Sequence, residues 1–500
     1  MIKILTAFFF LFISISAEQK PKILLITAES LKTSWKPYAE WKMASGKPTK
    51  ILTVKQVFDS FEGKDIQEKI RKCVIYHAEK YGVKWIILGG DSDPENPLVP
   101  DRDTSHVVMG RLSYSDIPTD QYYVSDKSWD ANGDGIYGKW NDDKEAISYG
   151  NQWGTCIGRV PVRTAEDVLA FTEKVIEYES NYPENDFAFK MAYTNTTNPS
   201  QPKVEKSWKD YVSTCWPKGT GCNFFHTKTP WDSQNPGDYD LLPGNLVDKI
   251  NANFASKVHM HGHGFLPGWV LENHKLFSKK HIENLKNQKS YLVMTTVSCF
   301  TGHFDSKKDP SISESMLRAK NKGAVIVISP AREGVPIFHN PEDFKLMVTE
   351  GKLDGTTMTM TRFWVNGLKK QEDGNYLTAG EAFYQAKQEM NNDARKNSGF
   401  HWCQSEINFL GDPTLYLRAE NPVTPEVFCP KKVKLGNTIK LKTSPGAKVC
   451  FWQKGGFYKV VEANENGQAS VKFDSNLHST LKVTVYGANF NTVQIDLLVD

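Results

Sequence analysis

The sequence predicts an α/β unit built on mostly parallel sheets flanked by helices, followed by a small antiparallel β-sandwich. Three observations carry this expectation. Runs such as Lys22–Ala28 (KILLITA) and Gly323–Ser329 (GAVIVIS) are apolar throughout, as strands buried on both faces must be. Segments between such runs place apolar residues at helical spacing, for example Ile66, Ile70, Cys73, Val74 and His77. Beyond Asn421-Pro422-Val423-Thr424-Pro425 the pattern changes to short alternating strands separated by Gly, Asn and Pro.

Taken in order, residues 1–17 read as a secretory signal peptide. Lys3 precedes the apolar run Ile4–Ile13, and Ser14-Ile15-Ser16-Ala17 offers small residues for cleavage. The apolar run is short for a bilayer, and no later segment is apolar enough to span one. The expected product is exported and soluble, with no membrane span. Lys22–Ala28, Lys50–Val54 and Trp85–Leu88 then read as strands, with helices at Leu31–Ser45 and around Ile66–His77 between them. Strands alternating with helices imply a parallel sheet. Cys156–Val160 and Lys190–Thr194 are further strands. The helix between them opens at Thr164-Ala165-Glu166-Asp167, a capping box with Asp in place of Glu. Asn198–Tyr239 is rich in Pro, Gly, Asn and Trp and reads as a long irregular loop. Ser313–Asn321 and Leu377–Asn391 are expected helices. The division predicted is 18–160 and 161–420 for the two parts of the α/β unit and 421–500 for the sandwich.

The balance of 61 Lys and Arg against 58 Asp and Glu leaves a net charge of only +3, and no basic run appears. Nucleic acid is therefore not an expected partner. Eight cysteines suit an oxidising compartment. Cys215 with Cys222, and Cys429 with Cys450, are candidate bridges. Asn195-Thr196-Thr197 is a glycosylation sequon.

The chemistry concentrates between Val258 and Asp305. His259-Met260-His261-Gly262-His263-Gly264 reads as a strand entering a glycine turn. Thr295-Thr296-Val297-Ser298-Cys299-Phe300-Thr301-Gly302 reads as another. A cysteine nucleophile acts as its thiolate and needs a base, for which histidine is suited. His263 and Cys299 are the expected pair, with one helix such as Ser278–Asn287 between two parallel strands. The N–H groups of Gly264 and Cys299 are the candidate oxyanion hole. Two alternatives stand beside this. His259, His261 and His263 alternate on one strand face and, with His303 or Asp305, would make a zinc hydrolase site. The fold could also serve as a non-catalytic secreted binding or adhesion protein.

In the loop Asp130–Asp143 (DANGDGIYGKWNDD), Asp130, Asn132 and Asp134 alternate ahead of Gly135. That is the opening of an EF-hand-like loop, with Ile136 offering its carbonyl, and it predicts Ca²⁺. Asn141 stands at the twelfth position in place of the usual Glu.

The central stretch, a His-Gly turn and then Ser-Cys-Phe-Thr-Gly-His-Phe-Asp, resembles the gingipain-type cysteine peptidases. The likeness also includes PYAEWKMASGKPTKILTV around Trp41-Lys42, ILGGD at Ile87–Asp91, GRVPVRTAEDV at Gly158–Val168 and FLGDPTLYLR at Phe409–Arg418. It covers about residues 21 to 420 in order. The resemblance implies a caspase-like catalytic unit in two subdomains, an immunoglobulin-like C-terminal domain, and endopeptidase activity on protein or peptide substrates. It further implies Cys299 as nucleophile, His263 as base, Gly264 as oxyanion donor, and bound calcium. Family members orient the histidine with an acidic residue on an earlier strand, and the nearest match here is Asn195. Well-known members favour Arg or Lys before the cut. Glu333 would serve such a side chain, and its neighbour Arg332 an acidic one. No long propeptide separates the signal from the catalytic unit.

Overall fold

The computed structural model describes residues 19–108, 112–184, 186–195, 222–226, 239–271, 274–307, 309–334, 353–474 and 480–500. The expected signal segment and most of the loop Asn198–Tyr239 lie outside them.

The uniformly apolar runs form strands buried along their whole length, including Ile23–Thr27, Cys156–Val160, Leu292–Thr296 and Ala324–Pro330. Together with others they make one mixed sheet of eleven described strands. Thr49–Thr53, Ile23–Thr27, Trp85–Gly89 and Cys156–Val160 form one side, all parallel. Ile407–Gly411 follows, then Ala324–Pro330, Leu292–Thr296, Lys257–His261, Met191–Asn195, Cys222–His226 and Tyr239–Asp240. The two expected parts of the α/β unit thus share a single sheet. They join where Ile407–Gly411 pairs antiparallel with Ala324–Pro330 and, at Leu410 opposite Arg159, parallel with Cys156–Val160.

Helices cover this sheet, and their ends follow local chemistry. Thr164 caps Ala165–Ser180 in the expected box, its hydroxyl accepting from Asp167 N while Asp167 reaches back to Thr164 N. Ser311 and Glu314 box the start of Ile312–Arg318. Lys174 is fully buried on the first of these helices. Its ammonium donates to the carbonyls of Met316, Leu317 and Ala324 at 3.2, 2.6 and 2.9 Å, tying the helix to the turn before Ala324–Pro330. Such a cation is tolerated because each N–H finds an acceptor.

Several elements were not expected. Val54–Ser60 is a helix capped by the box Thr53/Gln56. Gly355–Leu368 and Ser398–Glu406 are buried helices capped by Asp354 and Asn397. A three-stranded antiparallel sheet, Gly264–Phe265, Gly268–Val270 and Leu276–Ser278, fills the connection after His263. The helix there is only Lys279–Glu283.

The C-terminal strands fall close to their expected positions: Thr438–Lys442, Lys448–Trp452, Tyr458–Glu462, Gln468–Lys472, Leu481–Gly487 and Phe490–Val499. They pack into a second core around Val449, Phe451, Phe473 and Val483. Arg418 fastens this unit to the first, donating to the carbonyls of Ala488 and Phe490 at 2.8 and 2.9 Å and to Glu179 O at 3.1 Å. The expected bridge between Cys429 and Cys450 is not formed, and both thiols are free. Cys450 sits in mid-strand and turns towards the helix Lys36–Ala44, its sulfur 3.6 Å from Met43 O. Cys215 lies outside the described residues.

Candidate active site

Lys257–His261 and Leu292–Thr296 are neighbouring parallel strands, with His259 opposite Thr295 and Met260 opposite Thr296. Both chains leave the sheet at the same edge. On the histidine side Gly262 has φ 147°, a backbone conformation open to glycine alone, and His263 emerges exposed. Its carbonyl accepts from Val270 N at 3.0 Å, closing the loop. On the cysteine side Val297 N donates to Met260 O at 3.1 Å. Ser298 N then donates to Thr296 Oγ1 at 3.0 Å, and Thr301 Oγ1 to Ser298 O at 2.7 Å. Phe300 takes φ 56°, which a bulky side chain adopts only when its surroundings hold it there. The restraint is visible: Phe300 N donates to Arg332 O at 2.7 Å and Gly302 N to Pro330 O at 2.8 Å.

The two turns touch. A Cβ placed on Gly264 would lie 2.6 Å from Thr301 Cγ2, 2.7 Å from Ser298 Cβ and 3.0 Å from Cys299 O. The backbone beside His263 therefore rests directly on the cysteine turn, as the spacing of the two motifs predicts. Cys299 is partly exposed and free. Burial pushes its thiol up to about 11; Glu406 adds to this, the Gly334 N–H opposes it, and Glu333 adds a smaller push. Burial thus favours the neutral form of the Cys299 thiol.

The other histidines have neighbours of their own. His259 is fully buried, its Nδ1 2.7 Å from Thr295 Oγ1, which also accepts from Trp364 Nε1 at 2.9 Å. Burial keeps His259 well below the ordinary imidazole range. The rings of His259 and His261 share a face as expected, 6.0 Å apart beside Tyr193. His303 Nε2 lies 3.2 Å from Asp305 Oδ1. Among the described residues no three His, Cys, Asp or Glu side chains are gathered as a metal-binding group. Asn195 ends its strand opposite His261, two residues from His263; its side chain lies outside the description.

Arg332 is buried and committed. Its guanidinium grips Asp305 at 3.1 and 2.7 Å and reaches Asp116 O. Glu333 accepts from the Tyr114 hydroxyl on one carboxyl oxygen, while the other is buried without a partner among the described residues. Sequence reasoning missed Glu406. This last residue of the helix Ser398–Glu406 is fully buried, and neither carboxyl oxygen is paired among the described residues. An acidic residue ahead of an apolar strand carries no signal that the fold will bury it.

In the acidic loop, Asp134 N donates to Asn132 Oδ1 at 3.1 Å and Ile136 N to Asp134 Oδ1 at 2.8 Å. Asn132 Nδ2 also meets Asp134 Oδ2 at 3.0 Å, so these two side chains are turned to each other. Asp130 differs. Its side chain is almost wholly buried; among the described residues neither oxygen accepts a hydrogen bond, and the ion pair it makes with Lys64 is a long 3.5 Å contact. Asp143 closes the loop by accepting from Ala131 N and Lys139 N at 2.7 and 2.9 Å.

A cysteine on a strained turn against a glycine-flanked histidine from the next parallel strand is an arrangement suited to cysteine-type hydrolysis. The whole α/β unit agrees: residues 16–418 match the model of peptidase family C25, and the chain belongs to that family. It is a cysteine-type peptidase of gingipain-like α/β fold, and the non-catalytic and metal-dependent alternatives give way. The structure is similar to that of the Arg-specific cysteine proteinase gingipain R, with TM-score 0.70 and 18% identity over 97% of this chain and 99% of that one. It is similar as well to the complex of pro- and mature domains of RgpB from Porphyromonas gingivalis, with TM-score 0.67 and 17% identity over 96% and 100%. A third structure, described as a protease, has TM-score 0.65 and 16% identity over 96% and 97%. No curated protein matches the chain. Among the described residues no helix is long and apolar enough to cross a membrane.

Proposed function

We propose that the chain is a secreted cysteine endopeptidase working through a His263/Cys299 dyad and an acyl-enzyme. The observation that carries this reading is the packing of Gly264 against Ser298, Cys299 and Thr301. It leaves His263 and a free, partly exposed thiol on adjoining turns.

Because burial favours the neutral thiol, proton removal accompanies attack. His263 takes the Cys299 proton as the sulfur bonds to the substrate carbonyl carbon. The carbonyl oxygen gains a negative charge. Phe300 N–H and Gly302 N–H are committed to Arg332 O and Pro330 O, so the donors for that charge are Gly264 and Cys299 N–H. His263 then returns the proton to the leaving amine, and water hydrolyses the thioester. Asn195, at the strand end beside His261, is the candidate to orient the imidazole. With Arg332 held by Asp305, Glu333 is the specificity candidate, and its carboxyl oxygen, unpaired among the described residues, suits a basic side chain before the cut. The acidic loop would hold calcium through Asp130, whose buried carboxylate lacks donors among the described residues, with Asn132, Asp134 and the Ile136 carbonyl as further oxygens. Bound there, the ion would neutralise Asp130 and brace the loop.

The test is a mixed peptide library digested by the exported chain and by Cys299→Ala. Cleavage after basic residues by the first and none by the second is expected. Equal cleavage by both would overturn the dyad, and cleavage without basic preference would overturn the role of Glu333.

A further inference from the structure

The hairpin that follows His263 holds a bulky apolar side chain in solvent at the rim of the site. His263 and Phe265 are exposed, and Gly264 between them is buried against the cysteine turn. Phe265 keeps 59% of its surface exposed, although burying a phenyl ring is favourable. Isolated exposed apolar residues are common, and Phe58 and Leu169, each on a helix, are of that kind. Phe265 differs in that its strand is pinned at several points. Gly264 and Phe265 pair antiparallel with Trp269 and Gly268. Leu266 O accepts from Ile312 N at 2.9 Å, and His263 O from Val270 N at 3.0 Å. Trp269 is buried, its Nε1 donating at 3.2 Å to Thr296 Oγ1 on the strand that leads to Cys299. A Cβ on Gly268 would run into Phe277 O, so the third strand is packed directly on the second. The backbone therefore fixes the Phe265 ring outside the core, about 6–7 Å of extended chain from the base.

The reaction decides which part of a substrate meets this ring. His263 returns its proton to the leaving amine, so that nitrogen must come within about 3 Å of the imidazole. The cysteine strand Leu292–Thr296 lies between the histidine strand Lys257–His261 and Ala324–Pro330. The segment after Ala324–Pro330 follows the cysteine turn, with Phe300 N donating to Arg332 O at 2.7 Å and Gly334 packed on Val297 O. Glu333 and Phe265 thus flank Cys299 from opposite sides, the first on the acyl side and the second on the side of the leaving amine. We propose that Phe265 is a specificity-determining residue: its ring forms an apolar subsite for the residue that follows the scissile bond, and it favours peptides with an aromatic or large aliphatic side chain there. The inference rests on His263 being the base of the reaction.

The experiment uses labelled peptides with a single Arg, followed by Phe, Leu, Ala or Ser and otherwise identical. Their affinity for full-chain Cys299→Ala is read by fluorescence anisotropy. Their cleavage by the parent is read as kcat/KM, with the cut located by mass spectrometry. Phe after the Arg should be preferred to Ser by at least about fivefold in both readouts, a modest share of what an enclosed apolar pocket gives. Phe265→Ser should abolish the preference, and Phe265→Leu should keep most of it. Each ratio compares peptides on one protein, so it does not depend on the fraction that is folded. A second series carries the Phe ahead of the Arg, and any preference it shows should not depend on Phe265. The subsite is overturned by a parent without the preference, by a preference that survives Phe265→Ser, or by an equal loss in the second series. If the affinities behave as expected and no peptide is cut, the endopeptidase reading fails and the subsite stands. If cutting needs Cys299 and His263 but ignores the residue after the cut, the subsite fails and that reading stands.

Discussion

Gly264→Ala is the sharpest perturbation of the site that removes none of its polar side chains. The added methyl meets Thr301 Cγ2 at 2.6 Å and Ser298 Cβ at 2.7 Å, where ordinary contact begins near 3.4 Å. One turn must retreat from the other by about 0.8 Å. Backbone strain is not the cause, since Gly264 is not among the residues with positive φ. Overpacking of this kind costs about 1–3 kcal/mol of stability, so the chain should still fold. A displacement near 1 Å between catalytic groups costs about a hundredfold in rate. The expected loss in kcat/KM is therefore about a hundredfold, or ~2.7 kcal/mol of transition-state stabilisation, mostly in kcat. Iodoacetamide should still alkylate Cys299, because the thiol itself is untouched. Thr301→Ser removes the closest clashing carbon and keeps the hydroxyl that donates to Ser298 O. Combined with Gly264→Ala it should recover part of the loss, about tenfold, since the Ser298 clash remains. Activity in Gly264→Ala within threefold of the parent would refute the claim that this contact sets the dyad geometry.

Three further outcomes are expected. Burial disfavours the Glu179 carboxylate, but Lys42 and Lys47 outweigh that and hold it down at about 2 from an ordinary value of 4.5. Its contribution, about 3 kcal/mol, is present above about pH 4.5 and is lost as pH falls towards 2. Glu179→Gln should therefore lower the melting temperature at neutral pH and flatten the acid limb of a stability curve. Thr295→Val strips His259 and Trp364 of their shared hydroxyl and should cost about 1–3 kcal/mol in a denaturant titration. Chelation of calcium should lower the melting temperature of the parent but not of Asp130→Asn; equal shifts in both would remove Asp130 from the calcium reading.

Much of the fold was legible because burial on both faces of a parallel sheet demands continuous apolar runs. Ile23–Thr27, Cys156–Val160 and Ala324–Pro330 announce themselves in that way. The sandwich strands were legible through alternation, as in Thr438–Lys442, whose burial alternates residue by residue. The helix Gly355–Leu368 was not. Its first turns are rich in threonine, which weakens a helix in isolation, and only the Asp354 cap and burial of Met360, Phe363 and Trp364 override that. At the site, the glycines flanking His263 and the turn after Cys299 were readable as chemistry. The role of the Arg332 segment in clamping Phe300 was not, because that bond links residues far apart in sequence. Glu406 was invisible because an acidic residue ahead of an apolar strand does not announce its burial.

The most direct test of the dyad uses a peptidyl alkylating probe on the full chain, with peptide cleavage followed in parallel. One equivalent bound at Cys299, and cleavage abolished in both Cys299→Ala and His263→Ala, is the expected result. Labelling spread over several of the free cysteines, or cleavage that survives either substitution, would contradict it.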